Sequence, residues 1–364
     1  MKIRKLHIKN YKIFDDLSLD FTDDKGNTLD LIVLGGENGC GKTTLLEFIT
    51  KFRDTVHALH KSLNSLEFED NNKKIHTIYD ESNLPSSKIV YFPASKLSFR
   101  GGAYVTSITL EDDKDKMNQI AVKTIRDEVF KNKDTPPKQI IQKGINDINE
   151  ILRGIDLNTK LVDLESEELV FESANGQRIH FNDLSNGEKN LYFRAIYLHK
   201  LNIEDSILLI DEPETSLHPK WQKAVVQLYQ NIGKNNQVIL ATHSPHIMAS
   251  VPAESLFILT IDEKNKKIVP INVGKEGKHS KGLEPNRILR EIMQVEMLRD
   301  FETQIDIEKL SNLLNINDFE REDVEELTDK LKTQLGVQDP FIIRLDHQLL
   351  ILKRQKAKQA DALH

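Results

Sequence analysis

An α/β fold with a mainly parallel sheet is what this sequence predicts, and three observations predict it. Short continuous apolar runs at Leu31–Leu34, Ile89–Phe92, Ile207–Ile210 and Val238–Ala241 read as strands buried on both faces. Segments of helical period separate most of them, and strands alternating with helices build parallel sheets. Three of the runs lead directly into glycine, carboxylate or histidine residues, at the strand ends where open α/β sheets bind ligands.

Taken in order, Leu6 and Ile8 alternate with polar residues, as do Leu17, Leu19 and Phe21, so residues 3–21 are expected to form an antiparallel N-terminal subdomain. The run at Leu31 ends in Gly35-Gly36, and Leu45, Phe48, Ile49, Phe52, Val56 and Leu59 then recur at helical spacing. Residues 61–88 read as a polar connection. A helical insertion is expected over about 110–158, broken at Thr135-Pro136-Pro137 because proline cannot continue a helix. Residues 160–181 predict a hairpin turning at Asn175-Gly176. A helix from Pro219 to Ile232 should stop at Gly233, with Trp221, Val225, Leu228 and Ile232 on its core face. Beyond residue 280 the chain turns helical and acidic, with Leu310, Leu313, Leu314, Leu327, Leu331 and Leu335 as apolar positions. One α/β domain over 1–275 and a helical region for oligomer or partner docking over 276–364 are therefore expected.

Composition narrows the class. Of 364 residues 38% are hydrophobic and 29% charged, and no run reaches the roughly 18 apolar residues of a membrane span. Met1–Asn10 lacks the apolar core of a signal peptide, so a cytoplasmic protein with no membrane partner is expected. A single cysteine, Cys40, excludes an internal disulfide and a cysteine-based zinc site. The net charge of −7 gives nucleic acid no general attraction and leaves such a partner to a local basic patch.

Gly36-Glu37-Asn38-Gly39-Cys40-Gly41-Lys42-Thr43 fits the phosphate-loop pattern and lies between a strand and a helix, as that motif requires. Its glycines allow backbone N–H groups to converge on phosphate oxygens, Lys42 reaches the β- and γ-phosphates, and Thr43 suits Mg²⁺. The run at Ile207 delivers Asp211, expected to hold the metal, and Glu212, expected to activate a water as general base. Ser185 and Glu188 have capping-box spacing, and a serine-capped helix start beside Gly187 offers N–H groups to a second γ-phosphate, most simply that of a second protomer. His243 follows the run at Val238 and is expected to sense the γ-phosphate.

Together these residues carry a resemblance. Gly36–Thr44, Leu184–Lys189, Asp211-Glu212-Pro213-Glu214 and Ala241-Thr242-His243-Ser244 resemble the Walker A, signature, Walker B and switch-histidine motifs of ABC and SMC-like ATPases, over residues 1 to about 275. The resemblance implies an ABC-type P-loop head that binds ATP and Mg²⁺ between two copies, with Gly36, Glu37, Asn38, Gly39, Cys40, Gly41, Lys42, Thr43 and Thr44 in one cradle and Ser185 and Gly187 in the other. Lys12 stands where members of the family touch the nucleotide. The stretch Thr215-Ser216-Leu217-His218-Pro219 is similar to the prokaryotic defence branch, which includes the overcoming-lysogenisation-defect nucleases and the ATPases of Septu and PARIS systems. No Q-loop glutamine is identifiable. The Glu and Asp-x-Asp of a fused Toprim nuclease are not found after residue 275, so a separately encoded effector such as an HNH or Toprim nuclease is implied. Two rival readings stand beside a defence sensor: a RecF-like DNA-repair ATPase, and an ATP-bound scaffold with little turnover.

Overall fold

A computed structural model of the chain describes residues 2–58, 65–70, 72–78, 89–92, 114–131, 135–165, 168–201, 203–295, 299–315 and 322–361. These form two compact units, Met1–Met293 and Gln294–His364. The first unit begins with strands β1 (Lys2–Tyr11), β2 (Phe14–Asp20) and β3 (Leu31–Gly36), helix α1 (Lys42–Ala58), and strands β4 (Ser65–Glu69), β5 (Ile75–Ile78) and β6 (Ile89–Phe92). Helices α2 (Lys114–Lys131) and α3 (Pro137–Ile151) follow, then strands β7 (Thr159–Glu165), β8 (Glu168–Ser173) and β9 (Arg178–His180) and helix α4 (Asn186–Leu201). Strand β10 (Ile207–Asp211), short helices α5 (Pro219–Gln222) and α6 (Val225–Gln230), strand β11 (Gln237–Ala241), helix α7 (Pro245–Met248) and strands β12 (Leu256–Ile261) and β13 (Ile268–Asn272) lead to helix α8 (Pro285–Arg287) and a π turn at Ile288–Ile292.

The central sheet has the order β13-β12-β3-β11-β10-β6, and every pairing is parallel except β12 with β13. The sheet is mixed and mainly parallel, as the sequence predicts. β3, β10 and β11 at its centre are continuous apolar runs because both faces are covered. Leu31, Val33, Leu208, Ile210, Val238 and Leu240 enter one core with α3, α4 and α6. Ile32, Leu34, Ile207, Leu209, Ile239 and Ala241 enter the other with α1 and the N-terminal strands. A second, antiparallel sheet, β2-β1-β4-β5, covers that side. Gln237, fully buried, ties the two sheets: it accepts from the Ile3 amide at 2.7 Å and donates to Ile3 O at 2.8 Å and Leu29 O at 2.9 Å.

Several expectations are corrected. The polar connection contains the β4–β5 hairpin, whose Leu66 and Phe68 pack inward opposite Leu6 and Ile3. Only two inward residues alternate there with Ser65, Glu67 and Glu69, too short a period to stand out. The helix from Pro219 is two pieces, joined by tight bonds from Ala224 N to Trp221 O at 3.0 Å and Gln227 N to Ala224 O at 3.1 Å. Trp221 is only half-buried; its indole N–H donates to Asp156 O at 2.9 Å, and its ring edge lies against Gly187. Residues 276–293, read with the C-terminal region, belong to the first unit, since Ile288 and Ile292 join its core and Ser280 Oγ bonds Val251 O at 2.7 Å. Leu59 lies outside the described residues.

The second unit is helical: α9 (Phe301–Asn315), α10 (Glu322–Leu335) and α11 (Pro340–Asp361). Leu310, Leu314, Val324, Leu331, Ile342 and Leu345 form its own core. Glu322, Asp323, Glu325 and Glu326 line an exposed face of α10. No described helix is long and apolar enough to cross a membrane.

Candidate active site

Three parallel strands end side by side and set out the site. β3 turns into the glycine loop, where Gly36, Gly39 and Gly41 have φ of +137°, +82° and +94°, values that side chains with a Cβ rarely adopt. Space demands the same residues: a Cβ on Gly36 would lie 2.3 Å from Leu259 O, and one on Gly41 would lie 2.7 Å from Ile13 and Phe14. Glu37, Asn38 and Gly39 are exposed at the loop crest, Cys40 is buried, Thr43 is exposed at the start of α1 and Thr44 is half-buried behind it. The 17-residue helix α1 therefore opens with its N-terminal amides directly after the loop.

Lys42 is buried to 5% exposure, and its ammonium donates to Gly36 O and Glu37 O, each at 2.9 Å. It also meets His243 Nδ1 at 3.3 Å. Burial pulls its pKa down, opposed by Cys40, Glu212 and Asp211. Burial likewise pushes the Cys40 thiol up, against the pull of Lys42.

β10 delivers Asp211, which is 3% exposed. Its Oδ2 accepts from Thr43 Oγ1 at 2.8 Å, while Oδ1 is buried without a protein partner. Burial drives this carboxyl up to about 6; Glu212 and Glu214 add to the rise, and the Thr43 hydroxyl and Lys42 oppose it. An orphaned carboxylate oxygen beside a hydroxyl is a hard-oxygen donor set that fits Mg²⁺. Among the described residues no group of three His, Cys, Asp or Glu could hold a metal. That suits an ion held by few protein ligands and completed by phosphates and water.

Glu212 follows at φ +46°, its amide bonded to Ala241 O at 2.8 Å. From there its Oε1 lies 3.4 Å from His243 Nε2, at the end of β11. The His243 imidazole is held below its ordinary pKa by burial first and Lys42 second, with Glu212 and Glu214 pulling the other way.

The structure thus links Lys42, Thr43, Asp211, Glu212 and His243 through direct contacts. It does not link them to Ser185 or Gly187. Ser185 Oγ donates to Glu188 Oε2 at 2.7 Å and accepts from the Glu188 amide at 3.3 Å, the reciprocal cap at the start of α4. Glu188 is fixed further by Thr159 Oγ1 at 2.9 Å. Ser185 and Asn186 are exposed, whereas Gly187 is buried where a Cβ would meet the Trp221 ring at 2.7 Å. Lys12 pairs with Glu47 Oε2 at 2.6 Å, which raises its pKa, and its ammonium lies 5.8 Å from the centre of the Tyr11 ring.

Two residues near the site had no assigned role from sequence. Arg194, on α4, donates to Pro213 O at 3.1 Å and Tyr229 OH at 2.8 Å. Glu214 reaches across to the loop of His243. Its signal was a third carboxylate within four residues of Asp211, but its partners are backbone amides, to which sequence is blind.

Comparison with known proteins agrees with this geometry. A family model described as "AAA ATPase domain" matches residues 1–148, and "AAA domain, putative AbiEii toxin, Type IV TA system" matches residues 117–249. The two models together run over residues 1–249, and each describes an AAA-type domain. The chain is 36% identical over 108 residues to the "Retron Vc95 probable ATPase" of Vibrio cholerae, covering 26% of this chain and 21% of that protein. It is 23% identical over 312 residues to "Septu protein PtuA" of Bacillus thuringiensis, covering 72% and 76%. The match therefore spans about a fifth of the retron protein's length and three quarters of the Septu protein's. The "SMC head domain from Thermotoga maritima" superposes with a TM-score of 0.47 and 16% identity over 75% of this chain and 99% of that one.

Proposed function

We propose that this chain binds ATP with Mg²⁺ and hydrolyses it as the switch of an anti-phage defence system whose effector is a separate protein. Asp211 carries the reading: one carboxylate oxygen bonds Thr43 and the other is buried without a partner, beside a glycine loop built for phosphate. Thr43 Oγ and Asp211 would hold Mg²⁺, which supplies charge neutralisation at the phosphate oxygens. Lys42 exchanges its bonds to Gly36 O and Glu37 O for bonds to phosphate, and the amides that open α1 bind the same anion. Glu212, 37% exposed at its side chain, accepts a proton from water, and His243 stays beside it as a donor or acceptor.

The defence role rests on the retron and Septu relatives, and the exposed cap at Ser185, apart from its own phosphate loop, supports a second copy as the acceptor of that cap. The second unit, with exposed Phe301, Val337, Ile343, Leu350 and Ile351, suits docking of a partner such as a nuclease. Glu212→Gln tests the core of the reading. Turnover should fall by about a hundredfold or more while MgATP stays bound, and sedimentation with ATP should shift towards a dimer. Unchanged turnover would remove Glu212 as the base, and an unshifted boundary would remove the sandwich.

A further inference from the structure

Glu214 has no part in the chemistry above, yet it makes a set of bonds that bears directly on it. Its Oε1 accepts from Thr242 Oγ1 at 2.6 Å, from the His243 amide at 2.8 Å and from the Ser244 amide at 3.0 Å. Three donors on one charged oxygen make a strong anchor, since bonds to an ionised acceptor are about twice as strong as neutral ones.

The two amides belong to the residue that carries the imidazole and to the one after it. They lie in the gap between two regular elements: the ladder of β11 closes with Glu212 N on Ala241 O and Thr242 N on Leu34 O, and α7 starts only at Pro245. Within that gap a backbone N–H needs a partner from elsewhere; Glu214 serves the His243 amide and shares the Ser244 amide with Thr242 Oγ1, which accepts from it at 2.9 Å. The loop bearing Glu214 is itself held, by Arg194 on Pro213 O at 3.1 Å and by Leu217 N on Glu214 O at 2.9 Å. Two neighbouring loops, one with Glu212 and one with His243, are thereby cross-braced. Across that brace Glu212 Oε1 and His243 Nε2 lie 3.4 Å apart.

We propose that Glu214 is a positioning residue for ATP hydrolysis, fixing the His243 backbone so that the imidazole stays against Glu212. The inference rests on the ATPase reading above. Glu214→Gln keeps an acceptor oxygen of the same reach without the charge, and Glu214→Ala removes the acceptor. In the full chain without nucleotide, hydrogen exchange at the His243 and Ser244 amides should accelerate in both variants, more in Glu214→Ala. kcat should fall in the same order, by about tenfold to a hundredfold for misplaced groups, while KM for MgATP and the nucleotide bound per chain stay at wild-type values. Unchanged binding stoichiometry separates slow turnover from lost fold. Unaltered exchange in both variants overturns the proposal, as does wild-type kcat with those amides freed. Wild type and Glu212→Gln run alongside: turnover lost in Glu212→Gln but kept in Glu214→Ala sinks this inference alone, and absence of turnover in wild type sinks the ATPase reading with it.

Discussion

Asp211 makes the metal-free protein less stable as pH rises. Its folded pKa of about 6 lies above the ordinary 3.8, so the folded chain keeps a proton that the unfolded chain releases between those values. Stability falls through that window, and the loss is complete above it, amounting to about 3 kcal/mol at 1.36 kcal/mol per pH unit. Asp211→Asn should therefore be more stable than wild type in urea with a chelator at pH 7.5, with the gap closing towards pH 4. An equal gap at both would show that the carboxylate is not strained by burial. Cys40 behaves differently from what its place in an exposed loop suggests: it is 1% exposed with a raised pKa. Thiolate, not thiol, reacts with alkylating reagents. Native labelling should be at least about a hundredfold slower than in urea, a large factor for a thiol that must both be uncovered and ionise; equal rates would refute the burial.

At the scale of elements, four of the five parallel strands were legible because Leu31–Leu34, Ile207–Ile210 and their neighbours are continuous apolar runs, as burial within a parallel sheet requires. The placing of Lys42, Asp211 and His243 at one edge of the sheet was legible for the same reason, since each follows such a run. The β4–β5 hairpin was hidden by its two-residue inward face, and the break after Trp221 lies in backbone bonds that composition does not record. Gly233 shows what a stop signal costs to remove. It sits at φ +55° where a Cβ would lie 1.7 Å from Ile203 O, whereas Gly176, at φ +80°, has nothing within 4 Å. Gly176→Ala should cost about 1 kcal/mol from the left-handed backbone alone, and Gly233→Ala about 3 kcal/mol because backbone must also move. Thermal unfolding of the two variants compares them, and equal losses would contradict the packing.

For the whole molecule, the two units have separate cores, with no residue shared between the clusters of the first and that of the second. A chain ending at Met293 should keep the nucleotide Kd within about threefold, since every site contact described above joins residues of the first unit. Loss of nucleotide binding in that protein, while it remains folded, would show that the helical unit completes the site.

The strand that carries the phosphate loop has partners far along the chain. β3 closes at Gly36, but its neighbours are β11 and β12, and the latter ends at Ile261. A ribosome adding about 5–20 residues per second needs roughly 11–45 s for the intervening 225 residues (261 − 36). Until β11 is made at Ala241 both edges of this ribbon of Leu, Ile and Val are open, and one stays open until β12 is complete. Chaperone demand during synthesis should therefore track the arrival of β11 and β12 rather than the completion of the glycine loop.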